Sequence, residues 1–219
     1  MSFNVAIDGP AGAGKSTIAK AVAKKMGYVY VDTGAMYRAM ALFFLNNNIA
    51  ADDEKMINSV VDDIEVSLDY VDGNQVVYLN GEDVSKTIRN EAVGNMASAT
   101  SVFQAVRKKL VSLQQKLAES TNVIMDGRDI GTVVLPNADV KIYLTASVEC
   151  RAKRRFDELV AKGENPDIQK ISADIEERDY RDMHRDISPL KQADDAIYLD
   201  SSDLTIDEVV AKIISYCEK

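Results

Sequence analysis

Apolar residues along the chain follow two rhythms: short dense runs that suit strands, and longer stripes at three- and four-residue spacing that suit helices. Residues Phe3 to Ile7 form the first β-prone run, and a glycine-rich turn follows at Gly9 to Gly14. From Lys15 onward, Ile18, Ala19, Val22, Ala23 and Met26 mark one helical face, and Gly27 stops it. A second β-like run, Tyr28 to Val31, completes a compact βαβ unit, which predicts a parallel sheet.

The rhythm changes between Met36 and Leu117. Val66, Leu68 and Tyr70 alternate with polar residues, Asp72, Gly73 and Asn74 read as a turn, and Val76 to Leu79 read as the returning strand. A hairpin inside an α/β pattern marks an inserted subdomain. Its last helix is predicted to carry Val93, Met96, Phe103, Val106, Leu110, Leu113 and Leu117 as a core-packing stripe. The sheet resumes with Asn122 to Met125, Val140 to Leu144 and Ala196 to Leu199, which brings the core strands to five. Thr205 and Glu208 have the spacing of a capping box at the start of a closing helix. Between Leu144 and Ala196 a polar, helix-prone stretch breaks at Gly163 to Pro166, the loop between two helices.

Composition narrows the class. With 46% hydrophobic and 28% charged residues in 219, the chain can bury a substantial core. Lys+Arg 26 against Asp+Glu 35 gives a net charge of -9, which argues against a nucleic-acid binder or a basic membrane-surface protein. Acidity does not exclude a small anion held in a local pocket. The longest apolar run, Ala39 to Leu45, falls far short of the roughly 20 residues that span a bilayer. Cys150 and Cys217 lack any CxxC spacing and read as buried thiols of a reducing cytosol, so a soluble, cytoplasmic protein is expected.

The strongest chemical signal is Gly9, Pro10, Ala11, Gly12, Ala13, Gly14, Lys15, Ser16, which satisfies G-x-x-x-x-G-K-[ST] in full, between a strand and a helix, with Thr17 next. Such a loop turns successive backbone N–H groups toward phosphate oxygens at a helix N-terminus, while Lys15 reaches the β and γ phosphates and Ser16 can ligand Mg²⁺. Neither a D-x-x-G switch nor an N-K-x-D reader occurs, so a regulatory GTPase is disfavoured. A phosphotransferase needs cations to hold an anionic acceptor and neutralise the charge in flight. Six of the ten arginines, Arg151, Arg154, Arg155, Arg178, Arg181 and Arg185, fall within 35 residues. That run is either a phosphate-gripping set or a solvated face balanced by ten acids between Arg151 and Lys191.

Asp32-Thr33-Gly34-Ala35-Met36-Tyr37-Arg38 follows the second strand, and Asp126-Gly127-Arg128-Asp129 follows the third, so both fall at carboxyl ends of strands, where open α/β sheets bind ligands. Asp126 reads either as the holder of a magnesium-bound water or as a loop-capping aspartate. Taken in order with GPAGAGKST and ERDYRDMHRDISPL, the strings DTGAMYR and DGRDIGTVV resemble the bacterial cytidylate kinase family, from Val5 to near the C-terminus.

The resemblance implies a three-layer P-loop kinase fold with a five-stranded parallel sheet. The core would take 1–35, 118–150 and 186–219, a monophosphate-binding insert 36–117, and a lid 151–185. It implies transfer of the γ phosphate of ATP, with Mg²⁺, to CMP or dCMP, by a monomer. Lys15, Arg128 and Arg185 would be catalytic. Arg38, Arg128 and Arg185 would hold the acceptor phosphate, with Thr33 nearby. Ser98, Arg107 and Asp129 would read the cytosine, and Arg178 and Asp182 would approach the pentose. Arg151, Arg154 and Arg155 would begin the lid, with the one that touches ATP left open.

A phosphate acceptor is largely ionised at neutral pH and needs no strong base, which leaves His184 as a helix-surface residue. Two rival readings are a kinase of AMP, UMP or a hydroxyl metabolite, and a nucleotide-binding module without turnover.

Overall fold

The computed structural model describes residues 2–71 and 73–218. Five strands form one sheet: β1 (Asn4–Asp8), β2 (Val29–Asp32), β6 (Val123–Gly127), β7 (Val140–Thr145) and β8 (Ile197–Asp200), in spatial order β2-β6-β1-β7-β8 and parallel throughout. The parallel sheet was legible in the βαβ pattern. Its strand order departs from the compact unit: β6 pairs with both β1 and β2 and sits between them. That insertion aligns Asp32 with Asp126, and Asp8 with Gly127, at the carboxyl edge.

Strand parity divides the core in two. Val5, Ile7, Ile124, Ile142 and Leu144 face a cluster shared with α1 (Lys15–Met26) and α8 (Ile206–Cys217). Ala6, Val31, Val123 and Met125 face a second cluster shared with α2 (Thr33–Asn46), α4 (Glu91–Thr100) and α5 (Gln104–Ser120). Covering both faces is what a parallel sheet of near-continuous apolar strands requires. The Thr205 and Glu208 capping box is present at the start of α8.

The insert adds α3 (Glu54–Val60) and the antiparallel strands β3 (Val66–Val71), β4 (Asn74–Leu79) and β5 (Glu82–Asp83). Leu68 pairs with Val77 and Tyr70 with Gln75 in the hairpin; Asp72 of the expected turn lies outside the described residues. Val66, Val77, Leu79, Ile88 and Val93 join the same cluster as the sheet, so the insert is packed onto the core face.

The expected last helix of the insert is two helices. Phe103 is extended (φ -75°, ψ 131°) and starts α5, while the hydroxyls of Thr100 and Ser101 donate to the carbonyls of Met96 and Ser98. Hydroxyls that take backbone carbonyls in this way compete with helix continuation. The break was hidden because Met96 and Phe103 stand seven apart, the spacing of an unbroken stripe. In the segment expected to form a lid, α6 (Val148–Ala161) and α7 (Ile168–His184) pack around Ala152, Ile171 and Ile175, with Gly163 in the loop between them as expected.

Both cysteines are free and half-buried rather than fully buried; the Cys150 thiol donates to the Ser202 carbonyl, and burial pushes the Cys217 thiol up to about 11. Among the described residues, no helix is long and apolar enough to cross a membrane.

Candidate active site

The carboxyl ends of β1, β2 and β6 open into a cleft of about 520 Å³, walled by the P-loop on one side and by the insert and lid on the others. The glycine-rich loop leaves β1 at Gly9, whose φ of 149° and approach to β7 admit no side chain: a Cβ there would come 1.9 Å from the Leu144 carbonyl oxygen. Gly9, Pro10 and Ala13 form the back of the loop, while Ala11, Gly12, Gly14, Lys15, Ser16 and Thr17 line the cleft. Lys15 is 6% exposed and donates to the Pro10 carbonyl at 2.7 Å. Burial, with Arg128 next, pulls its ammonium down to about 7. The carboxylates of Asp126, Asp8 and Asp182 only partly offset that burial and the guanidinium, and phosphate oxygens would supply the remaining anionic charge.

Ser16 and the end of β6 meet. The Ser16 hydroxyl donates to Asp126 Oδ2 at 2.8 Å, the Tyr30 hydroxyl donates to Asp126 Oδ1 at 2.8 Å, and Thr33 Oγ1 donates to the Asp126 carbonyl. Burial, and then the neighbouring Asp32 carboxylate, push the Asp126 carboxyl above its usual range. Gly127 beside it is also crowded, though less than Gly9 and by side chains rather than backbone, since a Cβ there would meet Ile130 Cδ1 at 2.7 Å and Thr33 Oγ1 at 2.9 Å.

Arginines and aspartates occupy the far wall in pairs. Arg107 and Asp129 form a buried ion pair, with the Arg185 guanidinium 3.8 Å from the same carboxylate. Arg128 Nε donates to Asp182 at 2.7 Å; burial acts to raise Asp182, but Arg128, Arg178 and Arg185 outweigh it and hold that carboxyl below its usual value. Arg38 and Arg178 also line the cleft and, among the described residues, pair with no carboxylate; burial lowers both guanidinium groups. Ser98 completes the set at the insert side.

Five of the six clustered arginines are therefore on the cleft, which decides against a plain solvated face. Arg181 is exposed and pairs with Glu177. The three lid arginines differ sharply. Arg155 is half exposed beside Glu158, and Arg154 donates to the Ser201 carbonyl at 2.8 Å next to Gly14. Arg151 is 4% exposed and fully engaged with protein groups. His184 is exposed on the last turn of α7, stacked on Tyr180, away from the cleft lining.

The family model for cytidylate kinase matches residues 5–219. The chain belongs to the cytidylate kinase family. A cytidylate kinase of Lactobacillus johnsonii is 54% identical over 99% of this chain and 94% of its own length. One of Caldicellulosiruptor saccharolyticus is 53% identical over 97% and 94%, and one of Streptococcus pneumoniae 47% identical over 100% and 98%. Among solved structures, a gluconokinase from Sinorhizobium meliloti 1021 aligns at TM-score 0.52 and 11% identity, covering 99% of this chain and 91% of that one. A shikimate kinase from Bacteroides thetaiotaomicron aligns at 0.50 and 14%, covering 99% of each. These two likenesses show the P-loop kinase fold alone.

Within this cytidylate kinase family member, several cleft groups had been given no role by the sequence reading. Tyr37 lies among Arg107, Asp129 and Arg185, where burial raises its hydroxyl to about 12; its place beside Arg38 in DTGAMYR was the available signal. Arg89 pairs with Asp32 at 3.0 Å, and Gln75 of β4 accepts from the Asp32 N–H, so the insert clasps the end of β2.

Asp8 was missed entirely. Its carboxylate accepts from the N–H groups of Ile130 and Gly131 at 2.8 and 2.7 Å and so anchors the turn that carries Arg128 and Asp129. Burial raises its carboxyl from 3.8 to about 6 despite those bonds. The folded state then holds a proton more tightly than the unfolded chain, so Asp8 favours folding below pH 3.8 and loses that contribution as pH rises to about 6. Between pH 4.5 and 7.5 the parent should lose about 2 kcal/mol that Asp8→Asn does not lose. Urea midpoints of both proteins at the two pH values measure this, and parallel pH responses would count against it.

Proposed function

We propose that the cleft carries in-line transfer of the γ phosphate of ATP to the phosphate of CMP and dCMP, yielding ADP and the diphosphate. The observation that carries this reading is that one cleft joins a complete P-loop to a wall of arginines and to a buried arginine–aspartate pair suited to a base edge. The P-loop amides and Lys15 would hold the triphosphate, with Arg154 at its adenosine end. Arg38, Arg128 and Arg185 would hold the acceptor phosphate, Arg178 and Asp182 the pentose, and Ser98, Arg107 and Asp129 the cytosine. Two anions brought into line repel one another, and Lys15 and the arginines cancel that repulsion. The acceptor phosphate has a second pKa near 6, so its oxygen attacks without a protein base.

The donor set fits Mg²⁺. Ser16 and Asp126 offer hard oxygens 2.8 Å apart, and among the described residues no cluster of three or more His, Cys, Asp or Glu could hold a metal by itself. That sparse set suits an ion that keeps waters and substrate phosphates as its other ligands. Held there by Ser16 and by Asp126 through a water, Mg²⁺ would supply charge neutralisation for the transferring phosphate. Asp126, raised by burial and by Asp32, would be ionised by that charge and retained by Tyr30. Insert and lid would close over the substrates to exclude water as a competing acceptor. A cytoplasmic monomer completes the reading.

An ADP-release assay with CMP, dCMP, UMP and AMP tests it. CMP and dCMP should be the efficient acceptors; comparable turnover of AMP, or ATP hydrolysis that CMP does not change, would overturn it.

A further inference from the structure

Arg151 was expected to be one of three arginines that begin the lid, with the one that touches ATP left open, yet its surroundings set it apart. Its guanidinium donates to two carbonyls, from Nε to Ala146 at the end of β7 and from Nη1 to Ala11 in the P-loop, both at 2.9 Å. Nη2 lies 2.6 Å from Asp179 Oδ2 on α7. Its Cβ packs against Gly12, where a Cβ would stand 3.4 Å away. One buried side chain thus joins the P-loop, a sheet strand and the lid's second helix.

The contact with Ala11 has a consequence for phosphate binding. A trans peptide directs its carbonyl and the next N–H to opposite sides, and the chain has no cis peptide among the described residues. With the Ala11 carbonyl held by Arg151, the Gly12 N–H is turned the other way, and Gly12 lines the cleft. The contact with Asp179 has a consequence for the acceptor. Asp179 is 9% exposed, and among the described residues its Oδ1 has no hydrogen-bond partner and Arg151 is the cation it pairs with. It stands beside Arg178 and one turn before Asp182, which holds Arg128.

We propose that Arg151 is a positioning residue: it fixes the P-loop in its phosphate-binding shape and, through Asp179, ties that loop to α7, so that ATP and the acceptor bind cooperatively. The path runs from Ala11 through Arg151 and Asp179 to Asp182 and Arg128. Filling the P-loop holds Arg151 in place, which holds α7 where its residues meet the acceptor. By linkage the acceptor must tighten ATP by the same factor. This inference rests on the substrate reading above.

The readout is the Kd of CMP without and with saturating β,γ-methylene-ATP. The parent should bind CMP about fivefold tighter or more with the analogue present. Asp179→Asn keeps the two carbonyl contacts of Arg151 but weakens the tie to α7. It should bind the analogue within about threefold of the parent, while its CMP ratio falls below about two. Removing one partner of a buried ion pair can unfold a protein, whereas replacing both with apolar groups usually does not. The double variant Arg151→Met with Asp179→Leu is therefore the second arm, and it should lose both the ratio and about tenfold or more in analogue affinity. A parent ratio near one overturns the proposal, as does a parental ratio in either folded variant. Failure of the parent to release ADP with CMP would instead strike the substrate reading, so the two failures are distinguishable.

Discussion

Replacing Lys15 by methionine should lower turnover of CMP on the order of a thousandfold or more, and should leave the thermal midpoint of the ligand-free protein at pH 7 no lower than that of the parent. The two halves of this expectation share one cause. Lys15 is buried to 6% exposure beside Arg128, with a single carbonyl as its hydrogen-bond partner among the described residues, and its ammonium is pulled down to about 7. Burial and Arg128 outweigh the pull of Asp126, Asp8 and Asp182, so holding that charge with no anion in hydrogen-bond contact costs folding free energy, and methionine fills similar volume without it. Because the folded value lies below the ordinary 10.5, the unfolded chain binds more protons between pH 7 and 10.5. Parent stability should therefore rise with pH across that window, and the variant should lack the rise. The same deficit makes the lysine effective: phosphate oxygens restore its charge, so ATP binding at pH 8 should take up protons, measurable as a buffer-dependent binding enthalpy. A kcat within tenfold of the parent, or a midpoint lowered by several degrees, would contradict this account.

Local signals were legible and non-local ones were not. The P-loop, the stop of α1 at Gly27 and the capping box of α8 all arise within a few residues, and each was readable as a string. The hairpin was readable from its two-residue period, and the lid loop from Gly163 and Pro166. Strand order was not, because β6 reaches its place between β1 and β2 from some 90 residues away in sequence. For that reason the neighbourhood of Asp32, Asp126 and Tyr30 could not be foreseen, although Asp32 and Asp126 had each been placed at a strand end. The arginine run exposes a different limit. Arg151, Arg154 and Arg155 occupy little more than one helical turn and look alike as letters. Helix phase turns the first inward onto Ala11 and Asp179, sets the second against Gly14 and Ser201, and leaves the third beside solvent. Asp8 went unseen because an apolar strand followed by glycine gives no hint that its last residue will cap a turn 122 positions later.

Asp129→Asn should shift base preference from CMP toward UMP by about a hundredfold or more in the ratio of kcat/KM values. Cytosine presents an exocyclic amino donor beside acceptors, whereas uracil presents an oxygen at that position and a donor at the next. The parent carboxylate is acceptor-only, with one oxygen engaged by Arg107 and the other facing Arg185 at 3.8 Å. In the asparagine variant the arginine settles the side-chain orientation. Arg107 has only donors, so it keeps the amide oxygen, and the amide nitrogen takes the position of the second carboxylate oxygen. That nitrogen can donate to uracil O4 and meets the cytosine amino group as donor against donor. An unmatched buried donor costs roughly 1–3 kcal/mol, and the exchange both removes a good contact for CMP and creates one for UMP. Asp129→Ala is the blunter variant. It should also erode the preference for CMP more than it weakens ATP, but it leaves the buried Arg107 unpaired, at a cost on the order of 3–5 kcal/mol in stability. The asparagine variant retains that partner, so its specificity can be read apart from its folding. A CMP to UMP ratio within about twofold of the parent in both variants would mean that Asp129 does not face the base, and would return it to the role of holding Arg107 and Arg185 in place.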